Sequence, residues 1–194
     1  MITLELVAGG SALLAAGATV VGAAFLLLFF QRGNPWGILN DIASVVLMVA
    51  TIPVALVVAR LEDEPPIATF AWGIALIGIA GMVAAAGFQT ALVARIRTYE
   101  QLLGRTLGSG AIVRLWYLLA GLLGFRSLGQ PLAVLAVASG VGFIAVGYGF
   151  AVGGQRHPLS AIGGTVLFVA STAFLVILGV QLLSGDLVVP HWTA

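Results

Sequence analysis

The chain has 194 residues, 61% of them hydrophobic and 8% charged, with a formal net charge of +1. A water-soluble domain carries about 25% charged side chains, so this chain has too little charge to cover a globule and its surface must face lipid. The near-neutral balance removes the electrostatic basis for nucleic-acid binding. All eight cationic side chains are Arg, so no Lys exists to form a Schiff base or complete a Walker A loop, and the absence of Cys excludes disulfides, thiolate metal sites and redox dithiols.

The N-terminal stretch MITLELVAGG lacks the basic region of a secretory signal and carries Glu5, so the first apolar run, 6–30, reads as a retained span. Such a span needs about 20 apolar residues to cross roughly 30 Å of hydrocarbon. The polar stretch QRGNPWGILND follows, holding Arg32, Asn34, Asn40 and Asp41. Asn34 before Pro35 has the character of an N-cap for a second span over 36–59, with Pro53 expected to kink it. The acidic triplet Glu62-Asp63-Glu64, followed by Pro65-Pro66, reads as a solvated turn leading into a third span over 67–93.

Residues 94–110 form the one substantial hydrophilic stretch. Ile96, Tyr99, Leu103 and Leu107 recur at helical spacing there, which suits an interfacial helix over 95–107 or an extension of the third span. The fourth span, 108–125, is the shortest and contains Arg114, with Ser109 as its expected cap. If it is re-entrant, five spans remain and the termini lie on opposite faces. Spans over 131–153 and 159–183, headed by Pro131 and Pro158, complete the chain. The expected fold is all-α: one transmembrane domain over 1–194, a bundle of six membrane-spanning helices.

Arginine placement gives an orientation. The loops after spans one, three and five hold Arg32, Arg95, Arg97, Arg105 and Arg156, whereas those after spans two and four hold Arg60 and Arg126. The first set is expected to be cytoplasmic, giving a multi-pass cell-membrane protein with both termini on the non-cytoplasmic side. QRGNP after span one and QRHP after span five echo each other, more simply as a reused turn than as a duplication. Trp36, Trp72, Trp116, Tyr99 and Tyr117 fall mostly near expected span ends, as an aromatic belt requires.

Asp41 is expected about 10 Å along the second helix and Arg114 about 8 Å along the fourth, at similar depth in one leaflet. Gln89 and Asn40 fall near that level, and Ser160 lies closer to the interface. A buried polar cluster with an Asp41–Arg114 pair follows. It reads functionally as a proton or ion relay or an anionic headgroup pocket, and structurally as an ion pair that fixes helix packing. Gly140, Gly147, Gly149 and Gly153 are expected to let the fifth helix approach its neighbours closely, within one bundle or across an interface between chains.

Catalytic and metal constellations are not visible. His157 and His191 fall on opposite faces and cannot share one metal or haem. Ser109 and His157 share a face but both lie at the interface, which leaves a Ser–His hydrolase unsupported. No enzyme activity, metal or cofactor is expected.

The stretches NPWGILNDIASVVLMVATIPVALVVARL and LWYLLAGLLGFRSLGQPLAVLAVASGVGFIAVGYG resemble a broad group of bacterial six-span membrane proteins of unknown function. The likeness covers about two-thirds of the chain. It implies six spans and carries no ligand or catalytic residues. The expected role is a structural or accessory subunit of a membrane assembly, with the lipid bilayer and other subunits or further copies as partners. The alternative is a small transporter or lipid-binding protein using Asp41, Gln89 and Arg114. A water-accessible cavity reaching Asp41 would favour the alternative; a dry cluster beside an exposed glycine face would favour the subunit.

Overall fold

A computed structural model describes residues 3–153 and 157–190. Six helices follow one another: α1 (Leu4–Arg32), α2 (Trp36–Arg60), α3 (Pro65–Val93), α4 (Tyr99–Leu123), α5 (Gln130–Gly153) and α6 (Pro158–Ser184). Each is long and apolar enough to cross a bilayer, and no strand occurs among the described residues. The chain is a multi-pass membrane protein with a six-helix fold.

The helix starts follow from local chemistry. The Thr3 hydroxyl accepts from the Leu6 N–H at 3.3 Å, and Pro65 and Pro158 open α3 and α6, where a missing N–H costs nothing. His157 Nδ1 accepts from the Leu159 N–H at 3.3 Å, so this histidine serves as the α6 cap. Asn34 is not the cap of α2: Pro35 takes that position and no side chain caps the helix. The largest departure from the sequence reading is α4. Its cap is Thr98 rather than Ser109, through a capping box with Gln101, so residues 99–107 and the fourth span are one continuous helix. Ser109 is buried and its hydroxyl donates to Thr106 O at 3.0 Å.

Each helix packs on its neighbours in sequence, and α1 closes the ring against α6. Short connections make successive helices antiparallel. The α1–α2, α3–α4 and α5–α6 turns therefore lie at one end, with Arg32, Arg95, Arg97 and Arg105 on or beside them. This is the arginine-rich end; Gly154, Arg156 and His191 lie outside the described residues. The opposite end carries Glu5, Glu62, Asp63, Glu64 and Asp186 with Arg60 and Arg126. There the Ser127 hydroxyl donates to Glu62 Oε1, and Arg60 Nε donates to Pro190 O at 3.1 Å, while Val189 is buried.

Size sorts the side chains radially. Leu14, Leu27, Phe30 and Phe70 point outward, where lipid solvates them, and Ala8, Ala12, Ala15 and Ala55 line the contacts between helices. Without a hydrophobic drive between helices in lipid, small residues and close van der Waals packing hold the bundle. A methyl group added at Gly78 would come within 2.6 Å of Trp116 Cγ, and one at Gly163 within 2.6 Å of Gly142 O. Gly140 abuts Leu118, Gly149 abuts Ser160 and Gly153 abuts His157, but Gly147 faces open space. Gly147 shares a stripe with Gly140 seven residues earlier. Nothing lies within 4 Å of a methyl placed at Gly147, as is also true of Gly108 and Gly110 on α4.

Aromatic rings cross the middle of the ring of helices. Trp116 and Tyr117 pack edge-on at 4.6 Å between centroids, and Tyr117 reaches Phe174 of α6 at 5.5 Å. Both α4 aromatics are buried core residues rather than belt residues, because α4 begins a full nine residues before the expected start at 108.

Candidate functional site: a polar cavity at the arginine-rich end

Between α1, α2, α3 and the start of α4 lies a cavity of about 730 Å³. That volume falls within the usual range for ligand sites of about 300–1,000 Å³. Leu26, Phe29 and Phe30 of α1 form an apolar wall whose residues are themselves exposed. Asn40 and Asp41 of α2, Gln89 of α3 and Thr106 of α4 form a polar floor; Arg95, Arg97 and Tyr99 form the rim.

The depths follow from the helices. Asp41 is five residues past the start of α2, Gln89 four before the end of α3 and Thr106 seven past the start of α4. At 1.5 Å per residue the floor is about 6–10 Å inside the helix ends, whereas Arg95 and Arg97 belong to the α3–α4 turn. That turn is held by the Ile96 N–H donating to Ala91 O at 3.0 Å, with Arg95 in the left-handed region at φ 56°. A non-glycine residue held there is uncommon and follows from the tight reversal that aims both arginines at the rim.

The floor is under-satisfied. Gln89 Oε1 and Thr106 Oγ1 are both buried without a hydrogen-bond partner among the described residues. No hydrogen bond or ion pair from the described residues reaches the Asp41 carboxylate. Buried polar atoms are nearly always paired, and leaving one unpaired costs about 1–3 kcal/mol. Two such oxygens on one open cavity, beside an unpaired carboxylate, mark a place that a donor-bearing ligand would complete.

Arg114 belongs elsewhere. Its Nη1 donates to Ser139 Oγ at 3.3 Å, and its guanidinium carbon lies 5.2 Å from the Tyr117 ring centroid. Tyr117 in turn meets the Thr51 side chain. Thr51 lies nine residues before the end of α2, Arg114 nine before the end of α4 and Ser139 nine after the start of α5. The three form one polar tier about 13 Å from the acidic end. Thr51 is ten residues beyond Asp41 on α2, so the tier is about 15 Å from the Asp41 level and the expected Asp41–Arg114 pair does not form. The physical reason is the early start of α4, which carries Arg114 about 22 Å from its first residue.

The structure thus brings Asn40, Asp41 and Gln89 together and leaves out Arg114 and Ser160. Ser160 is buried at the start of α6 against Gly149. Arg95, Arg97, Thr106 and Asn34 join the site unforeseen. One signal for Thr106 was present: Thr98-Tyr99-Glu100-Gln101 is a capping-box pattern, which places Thr106 two turns inside a helix. Replacing Thr98 by alanine is expected to destabilise the protein by about 1 kcal/mol and to fray the first turn of α4. Hydrogen exchange at residues 99–103 should accelerate while residues 113–120 stay protected; unchanged exchange would contradict Thr98 as the cap.

Comparison of the chain with family models, with curated proteins and with solved structures finds no match.

Proposed function

We propose that the chain is a membrane protein that binds an amphipathic, lipid-like ligand at its arginine-rich end. The observation that carries this reading is the open cavity with a polar floor, a cationic rim and an exposed apolar wall. Basic pockets between transmembrane helices suit anionic headgroups, and the aromatic wall of Phe29 and Phe30 suits an acyl chain. Beneath the floor, Val54, Val57, Trp116, Tyr117 and Phe174 fill the bundle, so the ligand enters and leaves from one leaflet. Its role is binding or transfer rather than catalysis. By arginine placement that leaflet is cytoplasmic, with both termini on the other side of the cell membrane.

A second reading, an accessory subunit of a membrane assembly, draws support from glycines with open space around them on outward faces, Gly10 and Gly17 of α1 and Gly147 of α5. Small residues on a lipid-facing surface permit close approach of another helix.

Native mass spectrometry of the gently extracted protein separates the two. The binding reading expects a retained adduct of lipid mass, whose occupancy falls at least ~10-fold, about 1.4 kcal/mol, in Thr106→Phe, a variant that fills the cavity. Unchanged helicity by circular dichroism would show that this variant folds. A lipid-free chain that travels with other polypeptides at fixed stoichiometry would replace the binding reading with the subunit one.

A further inference from the structure

Resting on the cavity as a ligand site, we infer that its ligand carries a phosphate ester and a primary ammonium together, the chemistry of a phosphoethanolamine headgroup. The charges of the site are separated by depth. Two guanidiniums stand at the rim, and one carboxylate lies about 6–10 Å inside with two unpartnered oxygens at the same level. An anion alone would satisfy Arg95 and Arg97 but leave Asp41 facing like charge in a poorly solvated site. A cation alone would have to pass the two rim arginines. A zwitterion answers both ends at once.

The donor count narrows the cationic group. Asp41, Gln89 Oε1 and Thr106 Oγ1 offer three acceptors, and a primary ammonium has three N–H donors. A quaternary ammonium has none and would leave the two buried oxygens as unsatisfied as before. At the rim, guanidiniums match phosphate oxygens in a planar, two-point fashion. The acyl chain lies along Leu26, Phe29 and Phe30, apolar side chains that line the cavity and are themselves exposed. That exposed apolar wall favours a membrane lipid over a water-soluble amino phosphate as the source.

The test is competitive native mass spectrometry of the full-length protein in detergent, with equal concentrations of lysophosphatidylethanolamine, lysophosphatidylcholine and lysophosphatidylglycerol. The ethanolamine lipid should be retained at least ~10-fold over either competitor, the equivalent of one charge-assisted hydrogen bond. Asp41→Asn and Gln89→Leu should each bring that ratio to within about 2-fold, as loss of the same bond requires. The double variant Arg95→Gln with Arg97→Gln should weaken all three phosphate lipids and leave the ratio unchanged.

Equal retention of the three lipids by the native chain would overturn the inference while the cavity reading stands, and that arm needs no variant to fold. An unaltered ratio in Asp41→Asn would overturn it as well. Retention of no lipid at all would remove the cavity reading itself. Free phosphoethanolamine should fail to displace the lipid at equal concentration; full displacement would overturn the membrane source and leave a water-soluble ligand.

Discussion

Gly142→Ala should destabilise the bundle, whereas Gly147→Ala, five residues along the same helix, should be neutral or stabilising. A methyl group at Gly142 would come within 2.7 Å of Leu167 N and 2.9 Å of Gly163 O, both backbone atoms of α6 that have no rotamer to change. Overpacking of this kind costs about 1–3 kcal/mol, more than the roughly 1 kcal/mol that alanine gains over glycine in helix propensity. The reciprocal substitution Gly163→Ala meets Gly142 O at 2.6 Å and Val146 N at 2.7 Å, so it should cost as much. At Gly147 nothing lies within 4 Å, and only the propensity gain remains. Unfolding in mixed micelles, titrated with a denaturing detergent, gives the difference directly. Equal effects at the two positions would mean that α5 and α6 do not touch through their backbones.

Arg114→Met should leave stability unchanged or raise it, yet Ser139→Ala, a smaller change, should lower it by about 1–3 kcal/mol. The asymmetry comes from what each substitution leaves behind. Among the described residues Arg114 has no carboxylate partner; Ser139 Oγ accepts one of its N–H groups and Tyr117 offers its ring face. Removing the acceptor strands a donor of a desolvated cation, and that penalty is about 1–3 kcal/mol. Removing the cation relieves its desolvation, as replacement of buried charges by apolar side chains commonly does. In the double variant the cost of Ser139→Ala should vanish, which gives a coupling of the same size. Asp41→Asn combined with Arg114→Met should be additive within about 0.5 kcal/mol, since the two residues share no partner. Coupling beyond that would restore the ion pair that the helix positions exclude.

Six helices were legible because each apolar run is long enough to span a bilayer and Pro35, Pro65, Pro131 and Pro158 mark four of the starts. The start of α4 was not. Glu100, Gln101 and Arg105 lower the hydropathy of its first turns, so an apolar-run reading begins the helix near Gly108 and misplaces everything counted from there. Arg114 then comes out level with Asp41, although the true offset is about 15 Å. The clustering of Asn40, Asp41 and Gln89 was readable because α2 and α3 have well-marked ends. Thr106 depended on the misplaced start, and Arg95 and Arg97 depended on the shape of a turn that no periodicity describes. Glycine spacing was informative about helix contacts but not about their extent: Gly140 and Gly147 share a stripe, yet Gly140 abuts Leu118 while Gly147 faces open space, and spacing alone does not say where a contact ends.

At the arginine-rich end an open cavity reaches Asp41 and Gln89 and stops short of the Arg114 tier. Because the native chain has no Cys, single substitutions can be labelled without background. Asp41→Cys, Gln89→Cys and Ser139→Cys, each in right-side-out and inverted vesicles, would be treated with a small, charged, membrane-impermeant thiol reagent. This arrangement predicts reaction at positions 41 and 89 from the same single side and no reaction at position 139 from either side. Reaction at 139 as fast as at 41, or protection of both 41 and 89 from both sides, would contradict it.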